Sequence, residues 1–229
     1  MYRELGSMEK RTKGRKWLPA AVILCIAAAS LIVWSRYQHT SSVRPDGTYF
    51  GTIPQFHSSM DEDGDGLDDQ EDILKDALAY VDTHPKYKSR YYKTGYPDDG
   101  YGVCTDVVAN AMRAAGYDLM ELVAEDIRKH PSDYDISEPD PNIDFRRVRN
   151  LKVYFANNAV SLTTDLQKID EWQGGDIVIF RNHIGIVSDR RNKDGVPYVI
   201  HHNDPWQTAY EQDILESRND IAGHYRVSE

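Results

Sequence analysis

Cysteine is almost missing from this sequence. Its 229 residues include two, Cys25 and Cys104. Cys25 lies inside an apolar run, which excludes an intramolecular disulfide framework. Phenylalanine is also scarce, with five residues against 15 tyrosines. Positive charge is short outside the N-terminus. The chain carries a formal −10, yet residues 1–16 hold a local +4, leaving −14 for the rest. An acidic body without a basic patch excludes nucleic-acid binding as a function class. There is no internal repeat, and long uncharged runs are absent beyond residue 34.

The one such run is Trp17 to Trp34, WLPAAVILCIAAASLIVW. Eighteen uncharged residues are just enough to cross a bilayer core. Basic residues precede them, so the expectation is a single-pass anchor over 17–34. Residues 1–16 would be a basic cytoplasmic tail, and the C-terminal domain would be extracytoplasmic at the cell membrane. The rival reading is a cleaved signal peptide, since Ala27-Ala28-Ala29 resembles a small-residue cleavage site. Residues 35–59 read as a linker, with Ser41-Ser42, Pro45-Asp46-Gly47, Gly51 and Pro54 and no helical period.

Residues 60–72 contain DEDGDGLDDQED, which matches a calcium loop at most positions. Asp61, Asp63 and Asp65 stand at positions 1, 3 and 5. Gly66 supplies the sharp turn, Leu67 a carbonyl, Asp69 position 9 and Asp72 position 12. Hard oxygens on this spacing suit a structural Ca²⁺, bound in the weak extracellular range of about 10⁻⁴–10⁻³ M. Position 12 is Asp rather than Glu, and no entering helix precedes the loop. The bland alternative is a solvated acidic turn capping the next helix. No organic cofactor is expected.

That helix runs from about Gln70 to Thr83, with Leu74, Ala77, Leu78 and Val81 on one face and Pro85 after it. A tyrosine-rich irregular stretch follows, up to Tyr101. The spacing of Val107, Val108, Ala111, Met112 and Ala115 then predicts a helix that begins at Cys104 and stops at Gly116. The free N–H groups of that helix start favour an anion, which eases thiolate formation. Asp118 and Glu121 cap another helix, closed by His130-Pro131. Phe145-Arg146-Arg147-Val148-Arg149 is a basic cluster, read as pairing with local Asp residues or meeting an acidic substrate.

From Gly174 the period changes to two. Asp176–Phe180, His183–Ser188, Pro197–His202 and Gly223–Val227 read as strands. Helices first and an antiparallel sheet after make the class α+β. If Asp189 to Gly195 is the hairpin loop, Ser188 pairs with Val196 and His183 falls opposite His201, on one face. A one-residue slip would separate them. With Cys104 on a helix over that face, a Cys/His/His cluster results. It would be a nucleophile activated by His183, with His201 orienting the base. The alternative is an inert buried thiol beside satisfied core histidines.

The order Gly102-Val103-Cys104-Thr105-Asp106, Gly175-Asp176-Ile177-Val178, His183-Ile184-Gly185-Ile186-Val187 and Ile200-His201 resembles the NlpC-type papain-like cell-wall peptidases. Tyr96-Pro97, the Cys104 block, Pro141 to Leu151 and Gly223-His224-Tyr225-Arg226 resemble the bacterial family catalogued as domain of unknown function 1287. The second likeness covers roughly residues 70–229, and that family's activity is unassigned. The first implies a papain-like hydrolase domain over 70–229, with Cys104 as nucleophile and His183 as base. His201 would be the third residue, with His202 and Asn203 as rivals. The implied reaction is cleavage of amide bonds in peptidoglycan stem peptides. Asp106 departs from the pattern, because a carboxylate near the thiolate raises its pKa unless paired. Two other classes stay open: a non-catalytic wall-binding module, and a zinc enzyme using Cys104, His183 and His201 or His202.

Overall fold

The computed structural model describes residues 18–229. The chain divides into two compact units, 1–37 and 38–229. In the first, helix α1 spans Leu18–Arg36. Nineteen residues at 1.5 Å each reach about 28 Å, less than the roughly 30 Å hydrocarbon core. No helix among the described residues is long and apolar enough to cross a membrane. This overturns the expected anchor over 17–34, and with it the single-pass placement at the cell membrane. Trp17 and the basic tail, residues 1–16, lie outside the described residues.

The second unit begins with residues 38–59, irregular in backbone but tied to the body. Arg44 pairs with Glu211 at 2.9 Å, and Ser41 N–H donates to the Thr208 carbonyl. Helix α2 spans Asp69–Asp82, and the Asp68 side chain caps it by accepting from the Gln70 and Glu71 N–H groups. A short parallel pair follows, β1 (Lys86–Tyr87) with β2 (Tyr101–Gly102). Helix α3 spans Cys104–Ala114, and Gly116 ends it at φ +91°. Helix α4 is Leu119–Lys129, α5 is Pro141–Asp144 and α6 is Val148–Asn158. The strands are β3 (Val160–Ser161), β4 (Ile177–Phe180), β5 (Ile184–Arg191), β6 (Pro197–Ile200), β7 (Glu211–Gln212) and β8 (Ile221–Arg226).

These six form one antiparallel sheet in the order β3-β8-β4-β5-β6-β7. One face carries Ile177, Ile179, Ile184, Ile186 and Ile200 and packs with Ile73, Ala77, Val107, Val108 and Ala111 of α2 and α3. The other carries Val178, Phe180, Val187 and Val199 against Trp172 and Leu215. Burial on both faces explains why β4 reads as an unbroken apolar run. Each fully buried Ile contributes about 1.5–3 kcal/mol.

The β5–β6 register differs from the expected one. The pairs are Ile186↔Ile200 and Val187↔Val199, two residues away from an alignment of His183 with His201. Asn192 sets the turn: its side-chain oxygen accepts from the Asp194 and Val196 N–H groups. The strands therefore close at Arg191↔Pro197, and an irregularity between Val187 and Arg191 takes up part of the difference. A shift of two preserves the face of every side chain, whereas a shift of one would reverse it.

Candidate active site

Cys104 is the first residue of α3, and the helix start is held from its buried side. The Asp106 carboxylate accepts from the Val103 N–H at 2.8 Å and from the Arg146 guanidinium at 2.6 and 2.9 Å. Arg146 also donates to the Arg90 carbonyl and lies over the Tyr92 ring. Both charges are buried. Asp106 is thus paired, and the basic cluster is committed to local carboxylates: Arg147 lies 3.6 Å from Asp144 and Arg149 3.9 Å from Asp135.

His183 and His201 meet: His183 Nε2 is 2.8 Å from His201 Nδ1, with the rings edge to face. Continuing the observed pairing by one residue puts Gly185 opposite His201, so the two imidazoles approach diagonally. A Cβ at Gly185 would sit 2.5 Å from Val199 Cγ1 and 3.2 Å from His201 Cβ, so only glycine fits beneath the pair. Phe180 stacks on His183 at 5.8 Å, and Arg218 lies over Phe180 at 4.3 Å. The Arg218 layer was not visible in the sequence, because nothing local marks a cation 35 residues away as a neighbour. The glycine was the one available signal, since glycine within a strand marks a close approach.

The thiol meets the sheet differently from expectation. Helix α3 packs on the Ile184/Ile186 face, and Cys104 belongs to that core. The Ile184 N–H, the amide next to His183, lies close enough to favour the thiolate. No hydrogen bond joins Cys104 to either imidazole among the described residues. With His183 Nε2 engaged by His201, Nδ1 is the ring nitrogen left for a reacting thiol. His201 and His202 follow the end of β6 at Ile200: His201 meets His183, which stacks on Phe180 of the far face, while His202 meets Tyr87 and Tyr210, and Tyr210 belongs to the core that Cys104 packs against.

Electrostatics keeps the site neutral at rest. Burial pushes the Cys104 thiol up to about 11; the Ile184 and Thr105 N–H groups oppose this and Asp106 adds to it. Burial, then the Arg218 charge, pushes His183 down to about 4. Burial and the neighbouring His183 push His201 down to about 3, against a contact with Gln212. Burial lowers His202 to about 4.

The acidic loop converges only in part. The Asp61, Asp63 and Asp65 carboxylates come within 4.8 Å of one another. Asp69 instead accepts from the Glu62 N–H and pairs with the Tyr117 hydroxyl, and Asp72 pairs with Lys75 at 3.1 Å. The Leu67 N–H is bonded to the Asp65 side chain. Cys104 with the histidines is not among the described groups whose ligand atoms come that close together, so the geometry gives the zinc reading no support.

Residues 74–227 match the family described as Domain of unknown function (DUF1287). The chain belongs to this family. It is also 39% identical over 151 residues to the Uncharacterized protein YijF of Escherichia coli (strain K12), covering 62% of this chain and 72% of that protein. No solved structure matches the chain. The expected fold is corrected accordingly: a mixed helix and sheet domain stands, while neither the transmembrane helix nor the papain-like NlpC-type assignment does. Within the family match lie Cys104, His183, His201 and His202; the Asp61, Asp63 and Asp65 cluster lies outside it.

Proposed function

We propose that this domain is a cysteine hydrolase that cleaves amide bonds. The observation that carries the reading is the junction of α3 and β5. A cysteine at a helix start lies close to the amide beside His183, and that histidine is itself held by His201 at 2.8 Å. His183 stands just before β5, so its ring has to turn from the Phe180 face to the thiol; as its Nδ1 then takes the thiol proton, the Cys104 sulfur attacks the amide carbonyl carbon. The C–S bond forms and the carbonyl electron pair moves to oxygen. His183 then delivers the proton to the leaving amine as the C–N bond breaks, and activates a water that releases the acyl group. His201 orients the base.

The substrate class we propose is the stem peptide of peptidoglycan. Purified peptidoglycan is incubated with wild type and with Cys104→Ala, and free amine is measured. Release by wild type alone supports the reading, and equal release by both overturns it. A structural Ca²⁺ held by Asp61, Asp63 and Asp65 belongs to the same proposal, with Asp69 and Asp72 outside the ligand set. A second reading, a non-catalytic wall-binding module, is favoured by the neutral, desolvated thiol. It requires Cys104 to stay unlabelled by iodoacetamide near neutral pH.

A further inference from the structure

His202 stands apart from every other buried histidine of the domain. His224, fully buried, has both ring nitrogens partnered: Nδ1 to the Thr163 carbonyl at 2.7 Å and Nε2 to Asp176 at 2.9 Å. His183 and His201 partner each other. His202 is 1% exposed, its imidazole makes no hydrogen bond among the described residues, and its Nδ1 is wholly enclosed. A buried ring with an unsatisfied polar atom costs roughly 1–3 kcal/mol. Such a cost marks either a strained core or a group waiting for a ligand.

The place of His202 decides between these. His202 lies two residues past the end of β6, and Ile184, whose N–H acts on the Cys104 thiol, opens the neighbouring strand β5. Its ring lies edge-on between Tyr87 and Tyr210, each at 5.2 Å. Tyr87 is near enough to the thiol for the Cys104 charge to act on its phenol. Tyr87 is in turn fixed by Gln38, whose side chain donates to the Tyr87 carbonyl and accepts from its N–H. His202 is therefore a clamped imidazole on the thiol's side of the sheet.

We infer that His202 is a further catalytic residue of the proposed hydrolase, donating an N–H hydrogen bond to the substrate carbonyl oxygen as it becomes an oxyanion. This rests on the hydrolase reading. The neutral ring carries one N–H with no protein acceptor, and burial keeps it uncharged at neutral pH. A preorganised donor in a desolvated site stabilises developing charge without reorganising. The Cys104 N–H, at the helix start, is the second donor. His202 transfers no proton: the thiol proton goes to His183 and then to the amine, and the oxyanion pair returns to carbon as the C–N bond breaks.

The test separates the oxyanion from the thiol. Amine release from peptidoglycan stem peptides and iodoacetamide alkylation of Cys104 are measured for wild type, His202→Phe, His202→Gln and Cys104→Ala. Alkylation passes through no oxyanion. His202→Phe is expected to lose about 10²-fold in kcat, with the alkylation rate within about twofold of wild type. His202→Gln, which restores an N–H donor, is expected to recover part of the loss. If the phenylalanine variant does not fold, His202→Leu reads the same loss. A kcat within about twofold of wild type overturns the inference, as does an alkylation rate that falls together with kcat. If wild type releases no more amine than Cys104→Ala, the hydrolase reading itself fails and takes this inference with it.

Discussion

Two buried polar clusters lie on this sheet, and they are built on opposite rules. Around Asp176 every group is satisfied. Its carboxylate accepts from Gln70 at 2.9 Å, the Gln173 N–H at 2.8 Å, His224 at 2.9 Å and Arg226 at 2.9 and 3.0 Å. His224 also stacks on Trp172 at 3.8 Å. Around Cys104 the polar groups are just as buried but incomplete. Among the described residues His202 Nδ1 has no hydrogen-bond partner, His201 Nε2 has at most a contact with Gln212, and no hydrogen bond joins the thiol to an imidazole. A saturated cluster holds a fold together, because each lone pair lost to water is replaced. An unsaturated one retains the cost of burial, which a bound ligand can relieve. The difference separates a structural histidine, His224, from those of the proposed site.

The largest expected effect falls on the unsaturated side. Cys104→Ala should lower amine release at least about 10³-fold while the urea midpoint barely moves; a large loss of stability would make Cys104 a core residue. On the saturated side, Asp176→Ala should cost about 3–5 kcal/mol, because His224 and Arg226 lose a buried partner. Chemical unfolding measures this, and a cost under about 1 kcal/mol would remove the contrast between the clusters.

Acidity should act on the histidine side in a defined window. His183, His201 and His202 are depressed from 6.5 to between about 3 and 4. Between those values the unfolded chain binds protons that the folded one refuses, so stability falls as pH drops below 6.5. The fall ends once the folded histidines protonate. The kcat/KM profile should lose its acid limb near pH 4, as His183 takes a proton and ceases to be a base. Melting curves from pH 7 to 4.5 that do not move would show that these rings are not held neutral by the fold.

Gly185→Ala probes the histidine pair directly. The new Cβ would stand 2.5 Å from Val199 Cγ1 and 2.9 Å from the Ile200 carbonyl. The expected cost is about 1–3 kcal/mol, with lower turnover as His183 and His201 separate. Retained turnover in the folded variant would show that their contact is dispensable. The smallest effect is expected from calcium. At 1 mM, binding in the weak range should add about 0.4–1.4 kcal/mol, and calorimetry with Asp63→Asn as control measures it.

Local pattern exposed much of the framework. The helix stop at Gly116, the cap before α2 and the strands from Ile177 onward follow from glycine conformation, carboxylate capping and apolar alternation. The strand pairing was harder. Asn192 shortened the hairpin loop through its side-chain oxygen, and the irregularity after Val187 moved the pairing by two residues, which kept the face of each histidine. Neither device leaves a periodic trace. Helix α6 was missed because Val148–Asn158 interleaves Arg, Asn and Lys with β-branched and aromatic residues, and packing of Leu151, Tyr154 and Phe155 decides it. The apolar run at 17–34 misled: its 18 uncharged residues read as just long enough to span, yet no helix among the described residues is long and apolar enough to cross a membrane.

By itself the sequence determined which residues were candidates for chemistry: one cysteine at a helix start, histidines at the ends of two neighbouring strands, and acidic positions on a loop. These are properties of residue type and local spacing. Tertiary structure decided which of them meet. It turned Asp106 onto Arg146, bound Asp69 to Tyr117, set His183 on His201, and left His202 on the thiol's side without a hydrogen-bond partner among the described residues. Such choices depend on contacts between residues tens of positions apart, where register, packing of α3 on one face of the sheet, and burial fix distance and charge together.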